Sequence, residues 1–172
     1  MGGGVTEFGA EIEQHIGPLR RYARALLRDR TDADDLVQDA LARALSRSDR
    51  FQPGTNLRAW LFTILHNLHA NHVRRKVTAP TVTPVGDAAL HVATPAGQDD
   101  HMELRDMARG LALLPPEQRQ VLLLVALEGL RYEEVATVLG IPVGTVMSRL
   151  SRAREALRQH LAGEAPRLRR VK

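Results

Sequence analysis

This 172-residue sequence predicts an all-α fold, built as two small helical domains joined by a flexible Pro-rich linker. Three observations carry that expectation. Aromatic residues are only 3% of the chain while hydrophobic residues reach 44%, so the apolar content is mostly Leu, Ala and Val, which suits helix-on-helix packing better than a sheet. Apolar residues recur at helical spacing over most of the length. The pattern breaks at residues 77–100 (VTAPTVTPVGDAALHVATPAGQDD), whose three prolines, two glycines and small polar residues cannot bury enough surface to fold alone.

The first domain is expected over residues 8–76. Ile12 to Leu27 and Asp32 to Leu45 read as amphipathic helices, and Thr31-Asp32-Ala33-Asp34 has the spacing of a capping box at the start of the second. A Pro-Gly turn follows within Arg50 to Thr55, after which Leu57, Leu61, Ile64 and Leu68 repeat at helical spacing up to Arg74-Arg75-Lys76. A linker of 24 residues would average roughly 25 to 30 Å between its ends and extend further, enough for the domains to separate or to collapse together. The second domain, residues 101–163, reads as four short helices: Met102 to Leu113, Pro116 to Leu127, Tyr132 to Leu139 and Val143 to Leu161. The basic tail from Arg167 to Lys172 reads as frayed.

The formal net charge is +4 and the sequence pI about 10.3. Nearly all the positive charge is arginine, since lysine appears only at Lys76 and Lys172. Arginine's planar fork grips phosphate oxygens or a guanine edge through two parallel hydrogen bonds, so the balance points toward nucleic acid; a coding bias toward arginine would give the same composition. There is no cysteine, which removes disulfides and thiolate metal sites. Residues 1–10 lack the basic flank and apolar run of a signal peptide and no later stretch could span a bilayer, so a soluble cytoplasmic protein is expected.

The most specific constellation runs from Tyr132 to Arg154 (YEEVATVLGIPVGTVMSRLSRAR). Val135, Leu139, Ile141, Val146 and Leu150 are spaced to form a small core, Ala136 is small where two helices would cross, and Gly140 can take the positive φ of a tight interhelical turn. This is the pattern of a helix-turn-helix. With Val146, Leu150, Ala153 and Leu157 facing inward, Thr145, Ser148, Arg149 and Arg152 face outward, and Gly144 at the helix start leaves backbone N–H groups available to a phosphate. An αα-hairpin with a solvated arginine face is the plainer alternative.

With these residues in view, the chain resembles the extracytoplasmic-function (ECF) sigma factors of bacterial RNA polymerase. The first block of resemblance holds Asp34-Asp35-Leu36-Val37-Gln38-Asp39 and Leu57-Arg58-Ala59-Trp60-Leu61-Phe62-Thr63-Ile64-Leu65-His66-Asn67; the second holds Leu114-Pro115-Pro116-Glu117-Gln118-Arg119 and the helix-turn-helix with Val143 to Leu150. The two blocks come in the family's order and cover most of the chain. The resemblance implies a region 2 helical bundle at 8–76, a linker, and a region 4 helix-turn-helix bundle at 101–163. It also implies a stress-response transcription initiation factor that binds RNA polymerase core and promoter DNA, under control of an anti-sigma factor.

Residue by residue, the resemblance implies that Asp34, Asp35, Gln38 and Asp39 dock on the clamp coiled coil of the polymerase β′ subunit. Phe51, Asn56 and Asn67 would help capture a base flipped from the minus-ten element, with Arg74, Arg75 and Lys76 holding phosphates. Gly144, Thr145, Ser148, Arg149 and Arg152 would read the minus-thirty-five element while the apolar surface of region 4 leans on the β flap. Many members carry a basic residue where this chain has Met147, so a contact there is expected to be missing. Trp60, the lone tryptophan, reads at least as well as core.

Other readings fit less well. His66, His69 and His72 recur every third residue, but such steps drift about 60° around a helix, and neither a carboxylate among them nor a thiol completes a metal site. Their rings are expected to border DNA or the partner surface. The sequence carries no Gly-rich phosphate loop, nucleophile elbow or framed carboxylate pair, so no catalytic residue and no cofactor are assigned. A sigma-mimicking partner-switch protein would need a receiver or similar module that 172 residues do not accommodate. The main competitor is a helix-turn-helix regulator that acts without replacing the sigma subunit, which would bind duplex DNA tightly without polymerase.

Overall fold

The computed structural model describes residues 3–27, 29–78 and 98–164, with side chains described within 7–27, 29–75 and 104–163. Most of the linker expected at 77–100 and the basic tail lie outside the described residues. Among the described residues seven helices follow in chain order: α1 (Gly3–Leu26), α2 (Arg30–Ser46), α3 (Leu57–Thr78), α4 (Gln98–Leu113), α5 (Pro116–Leu122), α6 (Tyr132–Leu139) and α7 (Val143–Glu164). A 3-10 turn, Ser48–Arg50, follows α2, and a π-helical turn, Leu123–Leu127, continues α5. The described residues contain no strand, in line with the low aromatic and high Leu/Ala content.

Two helix starts depart from the sequence reading. The N-cap of α2 is Asp29, whose carboxylate accepts from the Asp32 N–H at 2.8 Å, so the helix begins upstream of the expected Thr31 capping box. Helix α1 begins at Gly3 and runs through Pro18, whose ring forfeits one main-chain bond in the helix interior. Packing of Ile12, Leu19, Tyr22, Ala23 and Leu26 into the core offsets that loss.

Helices α1, α2 and α3 pack on one another around Tyr22, Val37, Leu61, Phe62 and Leu65, all essentially fully buried. Tyr22 and Phe62 meet edge-on with ring centroids 5.4 Å apart. Helices α4, α5 and α6 pack against α7 around Val121, Leu124, Val135, Val146 and Leu150. Burial of each of these large side chains contributes about 1.5–3 kcal/mol, which makes each face of contact the main support of its helices. Gly110 leaves room for α7 to pack on α4: a Cβ there would stand 2.5 Å from Leu157 Cδ1.

The two halves touch. Helix α3 lies against α6, and α1 against the π turn, so one apolar cluster runs from Ile12 in α1 to Ala153 in α7. Of the two states that a 24-residue tether permits, the structure adopts the collapsed one.

Gly140 closes α6 with φ 65°, the left-handed conformation expected from the sequence, and the Ile141 N–H donates to the Ala136 carbonyl at 3.0 Å across the turn. No heavy atom would meet a Cβ at this position. A Gly140→Ala variant is therefore expected to lose about 1–2 kcal/mol from backbone strain alone, measured as a lowered urea midpoint with an unchanged denaturant slope.

Candidate nucleic-acid interface

The candidate recognition surface is built by α6, its turn and α7. Thr145 and Val146 N–H groups donate to the Pro142 carbonyl at 3.0 and 3.1 Å, which starts α7 immediately after the turn. Val146, Leu150 and Ala153 are buried, so the opposite stripe of α7 must face out. On that stripe Gly144, Ser148 and Arg152 are exposed, whereas Thr145 and Arg149 are half-buried. Neither Arg149 nor Arg152 makes a hydrogen bond or ion pair among the described residues, which leaves both guanidinium forks open to an acceptor. Met147 stands 53% exposed in the middle of the stripe, an apolar side chain where a phosphate or base contact would be polar.

The loop before α3 is tightly braced. Thr55 donates its N–H and its hydroxyl to the Gln52 carbonyl at 3.1 and 2.7 Å, and Gly54 takes φ 83°. Asn56 caps α3 by accepting from the Ala59 N–H at 3.0 Å, and its amide nitrogen donates to Glu134 of α6. Phe51 is half-buried against Phe8 and Trp60, with ring centroids 5.5 and 5.4 Å away. Trp60 is half-buried in that aromatic cluster, in keeping with its core reading. Asn67, Arg74 and Arg75 are exposed further along the helix; Arg74 donates to the Asn71 side chain at 2.8 Å, and the Lys76 side chain lies outside the described residues. Along α3 a rise of 1.5 Å per residue places Asn67 about 17 Å and Arg74 about 27 Å from Asn56, so the residues expected at the base and those expected at phosphates are spread along the helix.

The acidic group on α2 also divides. Asp35, Gln38 and Asp39 are exposed together, while Asp34 turns toward α1. There it accepts from Arg24 at 3.0 to 3.2 Å and lies 3.6 Å from Arg20, so its carboxylate braces α1 on α2. Asp35 and Asp39 line a cleft of about 300 Å³ between α2 and α3, opposite His69, His72 and Arg75.

Of the three histidines expected to border DNA or the partner surface, only His72 is exposed. His69 is 8% exposed, His66 half-buried and His72 exposed. Burial, with the nearby His66, His72 and Arg119 charges, lowers the His69 pKa to about 4, and burial lowers that of His66. Three-residue spacing turns each ring to a different side, and one of those sides is core. Among the described residues no group of three His, Asp or Glu side chains is placed to hold a metal ion.

Sequence reasoning missed Glu128, the acid at the end of the apolar run Val121–Leu127. Its side chain is fully buried and accepts from Arg21 Nε at 2.9 Å and Nη2 at 2.8 Å, while Arg58 Nη2 lies 3.2 Å from the same carboxylate and also donates to the Glu128 carbonyl. The bond to Glu128 raises the Arg21 pKa above its ordinary value. Burial pushes Tyr22 well above the usual phenol range, with the Glu128 charge adding to it, and burial lowers His15, helped by the Arg58 charge. A lone carboxylate inside a leucine-rich run was the available signal, because such a group must find a cation.

Residues 12–66 match the family described as the Sigma2 domain of PhyR, and residues 104–157 match Sigma-70, region 4. The ECF RNA polymerase sigma factor EcfG of Rhodopseudomonas palustris (strain TIE-1) is 42% identical over 147 residues, which cover 86% of this chain and 81% of that protein. The chain belongs to the ECF sigma factor family. Among solved structures, the ECF member resembles the sigma factor RpoE in complex with the anti-sigma factor NepR from Bartonella quintana (TM-score 0.77, 33% identity, 92% of this chain and 99% of that one). It also resembles CnrH in complex with the cytosolic domain of CnrY (TM-score 0.71, 29% identity, 95% and 92%). The helix-turn-helix of this sigma factor is thus one half of a two-part protein, and the regulator that acts beside a separate sigma subunit is not favoured. No helix among the described residues is long and apolar enough to cross a membrane.

Because the folded His69 pKa lies below the ordinary 6.5, the unfolded chain binds the extra proton first as pH falls. Its contribution to stability is complete above pH 6.5 and is lost toward pH 4, by up to about 1.4 kcal/mol per pH unit. Urea titrations between these limits should show that slope reduced in a His69→Gln variant relative to the parent.

Proposed function

We propose that this ECF sigma factor joins RNA polymerase core through α2 and reads promoters with α3 and α7, leaving the chemistry of RNA synthesis to the core enzyme. The observation that carries the reading is the outward stripe of α7, two unpaired arginines beside a serine with Gly144 in the first turn, in a chain that matches region 2 and region 4 in order. Gly144, Thr145, Ser148, Arg149 and Arg152 contact the minus-thirty-five element. Arginine forks suit phosphate or guanine, and Met147 makes that surface less basic than in many relatives.

On the region 2 side, Asp35, Gln38 and Asp39 form the contact with the β′ clamp coiled coil, through hydrogen bonds from basic partner groups. Asp34 supports the same contact indirectly by fixing α2 against α1. The Phe51–Asn56 loop and Asn67 receive the minus-ten element, with Arg74, Arg75 and Lys76 on the phosphates. The domain limits 8–76 and 101–163, joined by 77–100, fit this division of labour, and the apolar surface of region 4 meets the β flap. The protein works in the cytoplasm, where core polymerase is found.

Control by an anti-sigma factor fits as well, because one similar solved structure is a sigma factor in complex with the anti-sigma factor NepR and another is CnrH in complex with the cytosolic domain of CnrY. A protein inhibitor that engages both halves would hide α2 and α7 together.

In vitro transcription with purified core polymerase and a pool of genomic fragments tests the reading. The intact protein should give discrete transcripts, and an Arg149→Ala, Arg152→Ala variant should lose them by roughly tenfold or more while retaining core binding. An inactive core alongside specific duplex binding by the protein alone would sink the sigma assignment.

A further inference from the structure

The contacts between the two halves are not those of a neutral spacer. Glu128 leaves region 4 and enters region 2 with no exposed side-chain surface, held from α1 by both nitrogens of the Arg21 fork and from α3 by Arg58. Six residues on, Glu134 of α6 binds the side chain of Asn56. Asn56 is a residue proposed above to receive the minus-ten element, so an acidic group of the same chain occupies it.

The closed arrangement is also too short for a promoter. Elements centred at minus ten and minus thirty-five are about 25 base pairs apart, or ~85 Å of duplex at 3.4 Å per step. In this structure the start of α3 lies directly against α6, which is joined to α7 by a turn of three residues, Gly140 to Pro142. Both DNA-reading surfaces therefore cannot engage one promoter until the Glu128 and Glu134 contacts break.

Resting on the sigma reading, we propose that Glu128, clasped by Arg21 and Arg58 and seconded by the Glu134 bond to Asn56, is an autoinhibitory latch that holds the free protein closed. The chemistry suits a latch that opens. Arg21 is 51% exposed and Arg58 32% exposed on their side chains, so both cations regain water easily while only the carboxylate is deeply desolvated. A tether keeps the separated halves at an effective concentration on the order of millimolar, so a contact of modest intrinsic strength suffices to close the chain. Polymerase core, by binding the two halves at separate places, supplies the differential affinity that a two-state shift requires.

The absence of cysteine allows fluorophores to be placed at Gln14→Cys in α1 and Ser151→Cys in α7, both exposed, and the distance between them followed in the free protein. Arg21→Glu and Glu128→Gln should each lengthen that distance, and unlabelled proteins with these changes should bind core roughly tenfold more tightly than the parent. Glu133→Gln, which removes an exposed acid of α6, should leave both readings at the parental value. Arg21→Glu changes an exposed side chain and decides the matter if Glu128→Gln unfolds by circular dichroism. An unchanged distance in folded Arg21→Glu protein overturns the latch; a longer distance with core affinity within about twofold of the parent overturns its inhibitory role. A parental protein that neither binds core nor supports transcription removes the sigma reading and the inhibitory role with it, whereas the distance measurement, made without polymerase, still reports on the contact.

Discussion

One buried carboxylate orients the contact between the two halves. Glu128 sits at the end of a run of leucines whose burial drags it out of water, and a lone desolvated carboxylate costs several kcal/mol unless cations meet it. Arg21 and Arg58 meet it, from two different helices of the other half. The same burial that makes Leu123, Leu124 and Leu130 core residues therefore dictates that α1 and α3 be close by. Apolar packing alone is nondirectional and would tolerate several docking angles; the fork of Arg21 on both carboxylate oxygens accepts few.

Helix α3 is where the demands collide. Its buried side completes the first bundle through Leu61, Phe62 and Leu65, and its start is capped by an asparagine shared with α6. Its later turns carry the exposed Asn67, Arg74 and Arg75. A helix can divide its length this way because successive faces are only a residue apart, and the result is that internal docking and an exposed, arginine-bearing end share one rod. The acidic α2 shows the same economy: Asp34 and Asp35 are neighbours in sequence, yet one braces α1 and the other faces solvent.

The periodic apolar pattern made all seven helices legible, and the turn chemistry at Gly140 announced a left-handed residue that the structure contains. Helix starts were less legible, because Asp29 lies one turn before the apolar repeat of α2 begins and α1 starts at Gly3, well upstream of Ile12. The outward stripe on α7 followed from inward-facing Val146, Leu150 and Ala153. The roles of Asp34, Asn56 and His69 did not follow, since each is defined by a partner on a different element: Arg24, Glu134, and the groups that bury the ring. Spacing along one helix gives an angle, and only the fold says what stands at that angle.

The aromatic trio at the start of α3 has a practical use. Trp60 is the chain's single indole, packed beside Phe8 of α1 and Phe51 of the loop, and its main-chain N–H bonds to the carbonyl of Asn56. Its ultraviolet emission comes from one place, four residues from the point where the two halves exchange a hydrogen bond. The protein therefore carries an intrinsic optical probe at its own seam, readable without any label.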